Sequence, residues 1–128
     1  MEKVTGIGGV FFSAAEPDAL ERWYETHLGV GAPPPTDELA SWRQEAGPTV
    51  FAPMPPGTRW LGGPGRVWSI NFRVRDLDAM VVQLRAAGIA VDVDRERYPN
   101  GRFASLRDPE GNTVQLWQPA GADAVEPG

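Results

Sequence analysis

The sequence predicts an α+β protein made of two copies of one strand–helix–strands unit, and two observations predict it. The second half, Val67 to Trp117, reads as a strand, a helix ending at Ala86-Ala87-Gly88, and a run of strands. The first half repeats that order when the chain is slid along itself. Pro17-Asp18-Ala19-Leu20 falls on Leu77-Asp78-Ala79-Met80, Phe12 on Phe72 and Glu16 on Asp76. Further on, Gly47-Pro48-Thr49-Val50 matches Gly111-Asn112-Thr113-Val114. Two copies of one supersecondary unit imply a duplicated fold with a pseudo-two-fold axis and a ligand site between the copies.

Each element has a local reason. Val4 to Ser13 is apolar and strand-like, with glycines at 6, 8 and 9 where a bend or close backbone approach is expected. Glu16 is placed to cap a helix, and Pro17 suits its first position. Leu20, Trp23, Tyr24, His27 and Leu28 form one stripe at helical spacing, and Gly29 ends the helix. Three prolines follow, Pro33 to Pro35. Leu39–Glu45 and Thr49–Ala52 then suggest a hairpin around Ala46-Gly47. Ala52 to Gly65, rich in proline and glycine, is a crossover, lid or arm between the copies. Arg66–Val74 opens the second copy. Asp76 caps a helix with the stripe Leu77, Met80, Val81 and Leu84, closed by Gly88. Val91–Arg97, Arg102–Leu106 and Thr113–Gln118 are strands, and Asp108-Pro109-Glu110-Gly111-Asn112 is a dense turn signal between the last two. The expected domain is 1–120, with module one at about 1–53, a linker at about 54–65 and module two at about 66–118. Residues 119–128 should form a flexible tail.

Composition narrows the function. At 128 residues with 41% hydrophobic content, the chain can bury one real core. Each half alone would be marginal, so the halves must pack together or with another chain. The net charge of −5 lacks the basic footprint of a nucleic-acid binder. No apolar run approaches a membrane span, and Met1-Glu2-Lys3 leads straight into a strand, so a cytoplasmic location is expected. With no cysteine there is no disulfide, thiolate ligand or thiol nucleophile.

The pieces F-R-V-R-D-L-D-A, L-R-A-A-G-I and R-D-P-E-G-N-T-V-Q-L-W, with I-G-G-V-F-F and W-Y-E-T-H-L-G-V from the first copy, resemble the vicinal oxygen chelate superfamily. That group includes glyoxalase I, bleomycin-resistance proteins and extradiol dioxygenases. The resemblance implies tandem βαβββ modules, each curling a mixed sheet half-way round a cleft with its helix outside. It also implies a homodimer, with the cleft lying within one chain or across two. Its enzymes hold a divalent metal with one ligand from the first and last strand of each copy, mostly His and Glu. The matching positions here are Gly9, Phe51, Ser69 and Gln115. Glycine and phenylalanine offer no side-chain lone pair, serine is a poor ligand and glutamine a weak one. No metal and no cofactor are therefore expected. His27, the single histidine, reads as a packing or helix-end residue.

Strand alternation assigns the faces. Trp68, Ile70, Phe72 and Val74 should meet a helix, leaving Ser69, Asn71 and Arg73 toward the cleft. Val114 and Leu116 go to the core, with Thr113, Gln115 and Trp117 inward. The first copy should contribute Phe11, Ser13, Thr49 and Phe51. Trp42 and Trp60 are placed to cover the mouth, and Trp60 suits a ligand contact or a dimer contact equally. Trp23 and Trp68 read as core. Aromatic surfaces, neutral hydrogen-bonding groups and one fixed charge suit a small, partly aromatic organic molecule.

No nucleophile–base pair is evident; Glu45, on one hairpin face with Arg43, is the best general base available. Two functions follow: a metal-free binding protein of sequestration or resistance type, or a glyoxalase-like lyase, isomerase or dioxygenase with a non-standard or absent metal site.

Overall fold

The α+β architecture is set by one four-stranded mixed sheet with two helices packed on one side, seen in a computed structural model that describes residues 1–31 and 41–125. The elements are α1 (Pro17–Leu28), a 3-10 turn (Arg59–Leu61), β1 (Ile70–Arg73), α2 (Leu77–Ala86), β2 (Asp92–Val93), β3 (Gly101–Arg107), β4 (Thr113–Pro119) and a second 3-10 turn (Gly121–Asp123). The strand order is β1-β4-β3-β2. β1 runs parallel to β4, and the other two pairings are antiparallel. The sheet is open rather than closed into a barrel. The second copy thus builds one βαβββ unit.

The helices form for the reasons their sequences suggest. Asp76 Oδ1 accepts the Ala79 N–H at 3.0 Å and caps α2. Pro17 opens α1, and Gly29 closes it in the left-handed region with φ 69°. Glu16 does not cap α1 with its side chain. The carboxylate of Glu110 does that work from the β3–β4 turn, accepting the N–H groups of Ala15 at 2.6 Å and Glu16 at 3.0 Å. Leu20 and Tyr24 of α1 and Leu77, Val81 and Leu84 of α2 are buried against Ala104, Leu106, Val114 and Leu116. The alternation read in β4 holds, because Val114 and Leu116 enter this core while Gln115 faces away.

The first copy differs from its expectation. Its helix joins the core, but Val4–Ser13 and the described part of the expected hairpin, residues 41–52, form no ladder. Leu39 and Ala40 lie outside the described residues. Val4 and Phe11 are 87% and 96% exposed, and Phe51 is 85% exposed. A strand sequence needs a partner edge to become a strand, and no edge within the described residues takes these two segments. In the second copy the opening strand starts at Ile70 rather than Arg66, and Val91–Arg97 shrinks to two paired residues. Trp68 lies outside the core cluster and packs on Phe12, with ring centroids 4.8 Å apart. After β4 the chain makes one further turn, tied back by the Ala120 N–H to Asn100 O at 2.9 Å.

Candidate functional site

The sheet face opposite the helices is where the functional groups gather. Register places them in rows. Asn71, Gln115, Ser105 and Asp92 lie side by side across the four strands, and Arg73, Trp117 and Phe103 form the next row. Two adjoining grooves of about 830 and 520 Å³ meet at this face, the larger one also reaching Trp23, Ile89 and Leu106 on the helix side. They share Arg59, Asp92, Ser105 and Gln115.

Aromatic rings build one end. Phe103 stacks parallel on Trp117, with centroids 6.1 Å apart. Trp117 is only 2% exposed and its indole N–H donates to Asn100 O at 2.9 Å, so it is a fixed neighbour for Phe103 on the adjacent strand. Trp60 leans on Phe103 at 5.6 Å, and Tyr98 meets both edge-on. The Arg59 guanidinium lies 4.5 Å from the Trp60 ring centroid, a cation–π geometry.

A polar chain fixes this end. Arg59 donates to the Tyr98 hydroxyl at 2.8 Å, and that hydroxyl donates to Asp94 Oδ2 at 2.9 Å. The Glu96 N–H, then the Tyr98 hydroxyl, hold the Asp94 carboxyl below its usual range. Tyr98 is pushed up first by its bond to Asp94, against the opposing pull of Arg59. At neutral pH the chain is therefore carboxylate, phenol, guanidinium.

The turn carrying Trp60 is held by its own carbonyl. Ser69 Oγ donates to Trp60 O at 2.7 Å and Gln115 Nε2 donates to the same oxygen at 3.0 Å. Asn71 Nδ2 donates to Gln115 Oε1 at 3.2 Å and orients that amide.

The residues expected in the cleft are thus divided. Ser69, Asn71, Gln115, Trp117 and Trp60 come together on one face. Arg73 shares the face by register but reaches sideways into the first copy. It donates to Pro48 O at 2.5 Å, to Glu45 O at 2.7 Å and to Thr49 Oγ1 at 3.4 Å. Phe11, Ser13, Phe51 and Trp42 are exposed and outside the groove linings. The Glu45 carboxylate pairs with Arg75 at the surface, away from both grooves. Arg59, Asp92, Asp94, Tyr98, Phe103 and Ser105 were not expected here. Alternation could have found Phe103 and Ser105, which face away from Ala104 and Leu106. Asp92 and Asp94 alternate with Val91 and Val93 in the segment read as a strand, whereas Tyr98 comes from chain that carries no such signal.

The donor set does not fit a divalent metal. Among the described residues no three His, Cys, Asp or Glu side chains gather closely enough to hold one. Of the four positions matching the superfamily's ligands, Ser69 and Gln115 offer only weak neutral oxygens, and Gln115 Oε1 already accepts from Asn71. Gly9 and Phe51 lack lone pairs.

An open mixed sheet with an inner polar and aromatic face and helices outside defines the vicinal oxygen chelate class. Residues 9–117 match the glyoxalase-like domain, and the chain belongs to that family. It is 39% identical over 77 residues to the anthracycline biosynthesis protein DauV of Streptomyces sp. (strain C5). That match covers 54% of this chain and 28% of DauV, so the chain spans well under half of that relative's length. TnmS3, an antibiotic-binding protein from Streptomyces sp. CB03234, shares the fold with a TM-score of 0.59 and 24% identity, over 94% of this chain and all of that one. Lactoylglutathione lyase from Agrobacterium tumefaciens shares it with a TM-score of 0.56 and 18% identity, over 91% of this chain and 96% of the lyase.

Proposed function

We propose that this protein binds a small, partly aromatic organic molecule on the sheet face opposite the helices without a metal of its own, in a sequestration or resistance role. The observation that carries the reading is the supported aromatic surface of Trp60, Phe103 and Tyr98 beside open grooves. Half-buried rings with fixed polar neighbours favour a flat ligand with a few polar atoms. The relatives accord with this: one shares the fold and is an antibiotic-binding protein, and one is an anthracycline biosynthesis protein.

Trp60 lies in the site, so binding should quench tryptophan fluorescence. The test is a titration with flat aromatic compounds, with and without a chelator. Saturable quenching that the chelator leaves unchanged supports the reading; quenching abolished by the chelator would sink it. The competing reading, a lyase, isomerase or dioxygenase, draws support from the family's name and from a lyase that shares only the fold, at 18% identity. Its residue Glu45 would have to leave Arg75 to act as a base.

A homodimer is part of the proposal. The exposed apolar residues Val4, Phe11, Phe51 and Val67 belong to strand-like sequence without a partner, and a second copy would supply both partner and cover. No described helix is long and apolar enough to cross a membrane, and the chain has no cysteine, which accords with a cytoplasmic setting.

A further inference from the structure

We infer that Ser69 and Gln115 are positioning residues whose convergence on the Trp60 carbonyl sets the Trp60 ring in the aromatic surface of the site. The inference rests on the proposed binding role for its ligand readout, though not for its ligand-free one. Ser69 precedes β1 and Gln115 lies mid-β4, far apart in the chain, yet both donate to one oxygen. A carbonyl has two lone pairs, so two donors saturate it and fix its direction. Asn71 holds the Gln115 amide in the orientation that presents its N–H to that oxygen. The backbone of residue 60 is thereby pinned, and the indole is set against Phe103 and Tyr98. The side chain of Thr113, in the next inward position of β4, faces the Gly62 backbone of the same turn. Arg107 of β3 also donates to Gly62 O at 3.5 Å, so the turn meets the sheet at several points, and the two carbonyl bonds are the ones that hold residue 60.

The test uses the full chain and the variants Ser69→Ala, Gln115→Glu, their double, Ser69→Thr and Trp60→Phe. Gln115→Glu keeps the shape and removes the donor, while Ser69→Thr keeps the hydroxyl. The ligand-free readout is the near-ultraviolet circular dichroism band of Trp60, taken as wild type minus Trp60→Phe. It should vanish in the double variant and persist in Ser69→Thr. The ligand readout is the affinity for alizarin, a flat dihydroxyanthraquinone, by isothermal titration calorimetry, which reads the Trp60→Phe chains as well. Two lost hydrogen bonds should weaken alizarin about tenfold in the double variant. In the Trp60→Phe background the same double change should have no further effect, which a merely structural role would not produce. An unchanged band, or additive losses with Trp60→Phe, overturns the inference. If wild type shows no alizarin binding while the band still follows Ser69 and Gln115, the binding reading falls and the positioning role stands.

Discussion

Thr113 buries a hydroxyl for which the described residues offer no hydrogen-bond partner. An unpaired buried hydroxyl costs about 1–3 kcal/mol. Thr113→Val keeps the shape and removes the polar atom, so thermal unfolding should show the variant as stable as wild type or more so. Gly62 sits directly over that hydroxyl with φ 100°, and a Cβ there would collide with Thr113 Oγ1. Gly62→Ala should lower stability by about 1–3 kcal/mol, through left-handed strain and the clash. Thr113→Ala in the same chain should restore part of the loss in melting temperature. Tyr24 is buried and donates to Asp108 Oδ2 at 2.6 Å. Burial first, then the bond and charge of Asp108, push its phenol well above its ordinary value of 10.0. The folded state keeps the proton that the unfolded chain gives up, so stability present below pH 10 is lost as pH rises beyond it. Denaturant unfolding from pH 8 to 11 should fall more steeply for wild type than for Tyr24→Phe, which is itself weaker at pH 8 by about 1–3 kcal/mol.

At the scale of elements, the Asp108–Asn112 turn is the joint between the two halves. Asp108 accepts the N–H groups of Glu110 and Asn112 and the amide of Asn112, which makes the turn rigid. On that rigid base Glu110 reaches the start of α1. A carboxylate at a helix N-terminus satisfies orphan N–H groups and favours the dipole. Glu110→Ala should cost about 1 kcal/mol and raise amide exchange in the first turn of α1 before that of α2. An unchanged exchange pattern would show that α1 is held by Leu20 and Tyr24 alone. The turn was legible as a turn, since its five residues are strong turn formers. Its role as a cap for a helix nearly a hundred positions away was not, because nothing local in either segment names the other.

For the whole molecule, the open question of partner follows from the unpaired first copy. Burying a large apolar side chain contributes about 1.5–3 kcal/mol, so Phe11 and Phe51 together could hold much of an interface. Wild type should elute as a dimer with light scattering on the column, and Phe11→Asp should shift it toward monomer. A wild-type monomer would put the cleft within one chain.

Periodicity and turn chemistry by themselves determined the two helices, the last two strands of the second copy, the inner and outer faces of β4 and the α+β class. These depend on neighbours within a few residues, and the 3.6- and 2-residue repeats report them directly. The tertiary structure decided which strand-like segments pair, since Val4–Ser13 has a strand's sequence and no edge to join. It also decided that Ser69 and Gln115 meet at one carbonyl, that Arg73 turns to the first copy and that Tyr98 and Asp94 enter the site. Each of these is a meeting of groups distant in sequence, fixed by where the backbone brings them and by which polar atoms are left to be satisfied.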